Sequence, residues 1–316
     1  MTNLKQILTV SLLLLFSSFS LFASIEKTEN KTFTVQSGGR LEVETEKGSI
    51  SIKTHSSETI DIAIYFKAKT NDDELAEKLF DAFSIDYDHN GSDLRIIAKY
   101  NGRKNWLSNL FGGSKWNKLN VRFVIEVPEK YNVDLNTSGG GISVGDLEGF
   151  VKSRTSGGGL KFGNINGDID GKTSGGGITI GECSGNVDVS TSGGGIKINK
   201  CTGTVEASTS GGGITVNEVY GAIDASTSGG SVFASILDQP REECRLTTSG
   251  GGVTVKLAQN INVNLDAKTS GGSVSSDFPI KFRGKVERSK LKGELNDGGP
   301  LLYLRSSGGS INVVEN

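Results

Sequence analysis

The stretch "TSGGGLKFGNINGDIDGK" occupies residues 155–172, and "TSGGGITIGECSGNVDVS" follows directly as residues 173–190. The second is a copy of the first in which the apolar positions persist and the polar ones vary. Internal repetition of this kind outranks every other reading of the chain. The threonines that open the motif are Thr137, Thr155, Thr173, Thr191, Thr209 and Thr227, each 18 residues after the last. Thr248 and Thr269 follow at steps of 21, and Ser306 opens a degenerate copy, "SSGGSINV".

Stacking the copies separates apolar from polar columns. Five residues after each threonine stand Ile142, Leu160, Ile178, Ile196, Ile214 and Val232. Two further on stand Val144, Phe162, Ile180, Ile198, Val216 and Ala234, and four before it Val133, Val151, Ile169, Val187, Val205 and Ile223. Lys161, Thr179 and Lys197 fall between the first two columns, giving the period-2 alternation of a strand with one buried face. Columns that keep their spacing place each coil in register on the one before it, about 4.8 Å away. Gly145, Gly163 and Gly181 share a column with Asn199 and Asn217, which predicts corners at φ > 0. Gly149, Gly167, Gly185, Gly203 and Gly221 mark a second corner, and the SGGG motif a third, where turns without side chains approach closely.

The expected fold is therefore all-β: a single elongated β-solenoid of about 18-residue coils, most regular over 137–275. "LEVETEKGSISI" (residues 41–52) and residues 302–313 repeat the same offsets, so the solenoid covers most of residues 24–316. The opening "MTNLKQILTVSLLLLFSSFSLFA" has the charged start, apolar centre and small-residue end of a secretory signal peptide, with a cut after Ala23. That predicts an exported protein in the periplasm or at the cell surface, with no transmembrane segment after the leader. A net charge of −2 gives no general attraction to nucleic acid. Collagen is excluded, since the 44 glycines have no period of three and there are 4 prolines.

Two insertions near the N-terminal end break the pattern. Residues 72–84 carry Leu75, Leu79 and Phe83 with Ala76 and Phe80 beside them, and acids precede the stripe. This predicts a short helix that caps the raw end of the solenoid. Residues 101–119, "NGRKNWLSNLFGGSKWNKL", form a loop with both tryptophans, Trp106 and Trp116, together with Phe111, Lys104 and Lys115. Aromatic and basic side chains on a loop suit a partner contact; the competing reading folds the aromatics back over the solenoid edge. A third irregular stretch, with Lys281, Arg283, Lys285, Arg288, Lys290 and Lys292, reads as a solvated basic loop or a contact for anionic glycan or lipid.

At the level of "FVIEVPEKYNVDLNTSGGGISV" and the TSGGGI coils, residues 33–314 resemble the adhesin-like domain of unknown function found in bacterial envelope proteins. The resemblance implies an exported β-solenoid of adhesin-like type and brings no catalytic residues. An envelope protein or a glycan would be its partner.

Few residues offer chemistry. Cys183 and Cys201 share the core column of Leu147, Ile165 and Val219, one coil apart, a separation a disulfide can span; two buried thiols filling the core is the other reading. Asp170, Asp188, Glu206 and Asp224 form an outward acidic column, either a cation or basic-partner ladder or a solvated face. His55 and His89 stand apart from the cysteines, so neither a nucleophilic cysteine nor a metal site is expected, and no cofactor. A polysaccharide lyase or hydrolase on the same scaffold is the rival function, but the outward columns hold no converging acids. Ice binding by stacked threonines fails because the alternation with outward Arg154 and Lys172 turns the threonines inward. The function expected is a non-catalytic binding or structural module.

Overall fold

The computed structural model describes residues 24–101, 115–281 and 287–316, excluding the side chains of Lys115 and Trp116. The expected leader, 1–23, lies outside the described residues, as do Lys104, Trp106 and Phe111. The β-solenoid is as the sequence requires. Each regular coil gives one strand to each of two facing sheets: in the coil around Thr191, Val187–Thr191 enters one and Ile196–Cys201 the other. Residues 192–195, the SGGG corner, carry the chain between them. Val187, Val189 and Thr191 face Ile196, Ile198 and Cys201 across a thin buried core.

Register holds at 18 residues throughout this stretch. Val187 pairs with Val205 and Thr191 with Thr209 in one sheet, Ile196 with Ile214 in the other, all parallel. The motif threonines are buried. Their hydroxyls donate to glycine carbonyls of the neighbouring coil: Thr173 to Gly158, Thr191 to Gly176, Thr209 to Gly194 and Thr227 to Gly212, at 2.6–2.7 Å. Packing compensates locally where the columns change size. Phe162 is fully buried because the facing position is Gly171, where an added Cβ would meet the Phe162 ring at 3.3 Å.

The corner at Gly145, Gly163, Gly181, Asn199 and Asn217 is not built as expected. Positive φ is absent there. Gly163, Gly181 and Asn199 lie inside the strands Leu160–Asn166, Ile178–Cys183 and Ile196–Cys201. The coil thus has two corners and a bend rather than three corners. Glycine is suited to the bend by closeness, since a Cβ on Gly181 would stand 2.8 Å from the carbonyl oxygen of Gly163. Asn217 instead donates to the Asn199 side chain at 3.3 Å, a side-chain rung between coils.

Coil order departs from chain order at both ends. Leu301–Ser306 lies between Cys244–Thr248 and Val263–Thr269, and Ile311–Glu315 between Val253–Leu257 and Val274–Ser276. At the other end Arg40–Thr45 lies between Asn132–Thr137 and Asp93–Tyr100, and Ser49–His55 between Ile142–Val144 and Leu119–Pro128. The degenerate copy "SSGGSINV" is thus the penultimate coil. Ion pairing holds it there: Arg305 reaches Asp266 at 2.8 Å and Lys292 reaches the same carboxylate at 3.4 Å.

Antiparallel strands close both ends. Thr59–Ala68 pairs with Leu119–Pro128 and with the edge strand Ile25–Thr34, and Phe83–Asn90 pairs with Asp93–Tyr100. Lys290–Leu295 pairs with Val263–Thr269 and Ile280–Lys281 at the opposite end. Helix α1, Asp73–Asp81, takes Asp72 as its N-cap, whose carboxylate accepts from the Leu75 amide at 3.1 Å. It is shorter than the 72–84 expected, because Phe83 belongs to the following strand. Ala76, Leu79 and Phe80 are buried, and Phe80 and Phe83 lie 5.9 and 5.7 Å from Phe66, ring centre to ring centre. The helix covers the end of the core, as its apolar stripe requires.

Two outcomes test this architecture. At Gly194 an added Cβ would stand 2.4 Å from Gly177 Cα, whereas at Gly139 it would meet nothing within 4 Å. Gly194→Ala should cost more than about 2 kcal/mol in a denaturant titration, with Gly139→Ala near neutral; equal effects would contradict the close approach. Burial works against the charged form of Asp266, but Arg305 and Lys292 outweigh it and hold its pKa below the usual carboxylate value. A depressed carboxylate stabilises the fold above its unfolded pKa and loses that contribution as pH falls through the folded one. Asp266→Asn should therefore lower the melting temperature at pH 7 and narrow the gap to wild type below about pH 4.

Candidate functional site

On the outer face of one sheet the acidic column exists in register: Asp170 beside Asp188, Asp188 beside Glu206, Glu206 beside Asp224. Lys152 precedes it and Arg245 follows it in the same row. Three of the four acids have cation partners: Asp170 with Arg154 at 2.9 Å, Asp188 with Lys172 at 3.6 Å and Asp224 with Arg245 at 4.0 Å. Burial raises the pKa of Asp224, opposed by Arg245 and assisted by Glu243. Among the described residues no three His, Cys, Asp or Glu side chains gather to hold a metal ion. The column is a charge ladder largely neutralised from within.

A second concave surface lies where the glycine ridge meets the antiparallel cap. It encloses about 790 Å³ between Lys27, Glu46, Gly48, Tyr65, Arg122 and Ser138, among others. Tyr65 is one of two large exposed apolar side chains among the described residues, and the Arg122 guanidinium sits 4.6 Å from its ring. Lys67 and Glu26 pair across the rim at 2.9 Å. This wall, Asn120 to Arg122, begins directly after Leu119, the end of the aromatic-basic segment. Sequence reading missed the groove, because Tyr65 and Arg122 meet only through antiparallel pairing. In the third irregular stretch, Lys281 is tied to the Asn296 carbonyl at 2.7 Å and Lys292 to Asp266; residues 282–286, including Arg283 and Lys285, lie outside the described residues.

Cys183 and Cys201 are register partners, and both are buried thiols, as is Cys244. Cys183 Sγ donates to the Gly167 carbonyl at 3.1 Å and Cys201 Sγ to that of Gly185 at 3.4 Å. The neighbouring Cys201 thiol holds the pKa of Cys183 below the usual thiol value, while the Cys183 sulfur and burial together push that of Cys201 up. Burial pushes Cys244 up to about 11. Bridging the pair would draw the two Cβ atoms from near the strand spacing of about 4.8 Å to about 3.8 Å. The expected result of alkylation is no labelling of the folded protein at neutral pH and three labelled thiols after unfolding. A count of one would show that Cys183 and Cys201 are bonded.

Among the described residues no helix is long and apolar enough to cross a membrane. No curated protein matches the chain. Solved structures to which the chain is similar include a candidate cell adhesion protein from Clostridium sporogenes, 16% identical, covering 92% of this chain and 100% of its own, with a TM-score of 0.25. A candidate adhesin from Bacteroides fragilis is 14% identical, covers 92% and 97%, and has a TM-score of 0.37. A candidate lipid-binding protein from Parabacteroides distasonis is 10% identical, covers 92% and 96%, and has a TM-score of 0.30. The profile of the Toastrack family, DUF4097, matches residues 38–313, nearly the whole of the stacked coils described above. The chain belongs to the Toastrack family of domains of unknown function.

Proposed function

We propose that this protein is an exported, non-catalytic binding or structural module of the bacterial cell envelope, adhesin-like in kind, working in the periplasm or at the cell surface. The observation that carries the reading is the use to which the repeat is put. Its threonine hydroxyls bond to the preceding coil, its glycines allow backbone contact, and its charged columns pair along the sheet. A scaffold so occupied with itself supplies rigidity and length, while contact falls to the interruptions. The leader-like residues 1–23 support export.

The contact surface we assign is the aromatic-basic segment with Lys104, Trp106, Phe111, Lys115 and Trp116. The groove at Tyr65 and Arg122 adjoins it in sequence. Tryptophan and basic side chains together suit an envelope protein or an anionic glycan, since the rings give area at little entropic cost and the cations give direction.

Co-sedimentation with purified cell envelopes tests the reading. The intact protein should pellet with the envelopes, and the double variant Trp106→Ala, Trp116→Ala should remain largely in the supernatant at an unchanged melting temperature. Equal pelleting of both would remove the segment from the site; no pelleting of either would remove the function.

A further inference from the structure

The 18-residue step first fails between Thr227 and Thr248, where three residues are added. The addition falls in "LDQPREE", residues 237–243, which leaves the stack after Ile236 and returns at Cys244. It is a pinned loop. Gln239 Nε2 donates to the carbonyls of Asn262 and Pro240 at 2.9 and 3.1 Å, and its Oε1 accepts from the Asn262 amide at 2.8 Å. The Leu237 amide donates to the Val219 carbonyl at 3.0 Å.

Between this loop and the preceding corner lies a groove of about 390 Å³, within the size range of small-molecule sites. Tyr220 borders it. One, two and three coils earlier the same position holds Thr202, Ser184 and Asn166, whose side chains bond down the column: Ser184 Oγ to Asn166 Oδ1 and Thr202 Oγ1 to the Ser184 carbonyl, both 2.6 Å. Tyr220 replaces that rung with a half-buried ring, and Lys200 lies 5.8 Å from its centre. Opposite stand Asp238, Arg241 and Glu242, all exposed. None of these three has an ion-pair partner among the described residues, unlike three of the four acids of the central column.

We propose that the groove bounded by Tyr220, Thr202, Asp238, Arg241 and Glu242 is a saccharide subsite that takes one pyranose unit of a glycan. The proposal rests on the binding-module reading above and gives that module a second contact on the other side of the stack's middle. A pyranose presents a face of C–H bonds, which packs on an aromatic ring, and a rim of hydroxyls, which are donor and acceptor at once. Carboxylate and guanidinium groups answer such a rim with paired hydrogen bonds. Other ligand classes fit less well. A phosphate would meet Asp238 and Glu242, of like charge. An extended peptide would need an open strand edge, yet Ile214–Val219 is paired on both sides. A metal ion would need three grouped ligands, which the described residues do not provide.

Saturation-transfer NMR on the purified protein tests the assignment, with glucose, galactose, mannose, rhamnose and N-acetylglucosamine and their short oligomers as probes. At least one sugar should receive saturation. Tyr220→Thr restores the residue type of Thr202 and should keep the fold while weakening that sugar about two- to tenfold. Asp238→Asn, on an exposed side chain, should also weaken it, and Lys161→Gln, exposed three coils before the Tyr220 coil, should not. Saturation of no probe, or saturation unaltered in both groove variants at unchanged melting temperature, overturns the subsite. Envelope co-sedimentation by the intact protein alongside such a failure would leave the binding-module reading standing. A sugar signal lost in Tyr220→Thr without any co-sedimentation would support the subsite and count against the envelope role.

Discussion

The fold depends on one hydrogen bond made over and over: a buried threonine hydroxyl donating to a glycine carbonyl one coil away. A chain turning through Ser-Gly-Gly-Gly exposes carbonyls that no strand ladder satisfies, and a buried unpaired carbonyl costs about 1–3 kcal/mol. The threonine that ends each strand supplies the missing donor at 2.6–2.7 Å, from Thr155 through Thr248. The central glycine of each motif lets the donor and acceptor come that close. Where threonine gives way to Ser306, the same bond forms to the Gly251 carbonyl at 2.7 Å. The hydroxyl is the requirement, and the methyl group is not.

A stack made this way has no natural end, since each coil offers the next one the same edge. The chain ends it by leaving chain order. Inserting 40–55 and 301–316 one coil in from each end puts the chain's own early and late segments between paired neighbours on both sides. Antiparallel strands then replace parallel ones, and the outermost of them, Ile25–Thr34, carries Glu26, Lys27, Glu29 and Lys31, charges that oppose pairing with another chain. Helix α1 finishes the N-terminal end by burying Phe80 against Phe66. Tyr131, fully buried, bonds to the Ser92 carbonyl and so ties the first regular coil to the strand beyond the inserted one.

Periodicity made the stack legible. Equal spacing in the columns of Ile178, Ile196 and Ile214 implied in-register parallel strands, and alternation implied which side chains face inward, including the threonines. Two things were not encoded in spacing. Gly163 and Gly181 looked like left-handed corners because glycine serves both positive φ and close approach, and composition does not separate the two uses. Neighbour relations at the ends were hidden because an out-of-order coil keeps the same offsets as an ordered one. Tyr303 shows the consequence: it lies between Arg245 and Arg305, 4.4 and 3.8 Å from its ring centre, and the contact with Arg245 exists only because coil 301–316 was inserted. The groove at Tyr65 was hidden for a different reason: Tyr65 meets Arg122 through antiparallel pairing, which the 18-residue period does not encode.

Rigidity and recognition make opposite demands on a repeat, and this chain separates them in space. Uniform columns give a stiff rod only if their polar groups are satisfied within it, which leaves them little to offer a partner. Specific contact requires positions that differ from their neighbours, and these arise where a coil gains residues or a cap begins. Three of these departures carry an aromatic side chain beside charged ones: Tyr65 with Arg122 at the cap, Tyr220 beside the added loop, and the tryptophans in 101–119. A single ring set against a row of small side chains is both a break in the ladder and a surface another molecule can grip. The repeat fixes the distance between such breaks at multiples of the strand spacing, so the scaffold's regularity sets the geometry at which its irregular positions can act together.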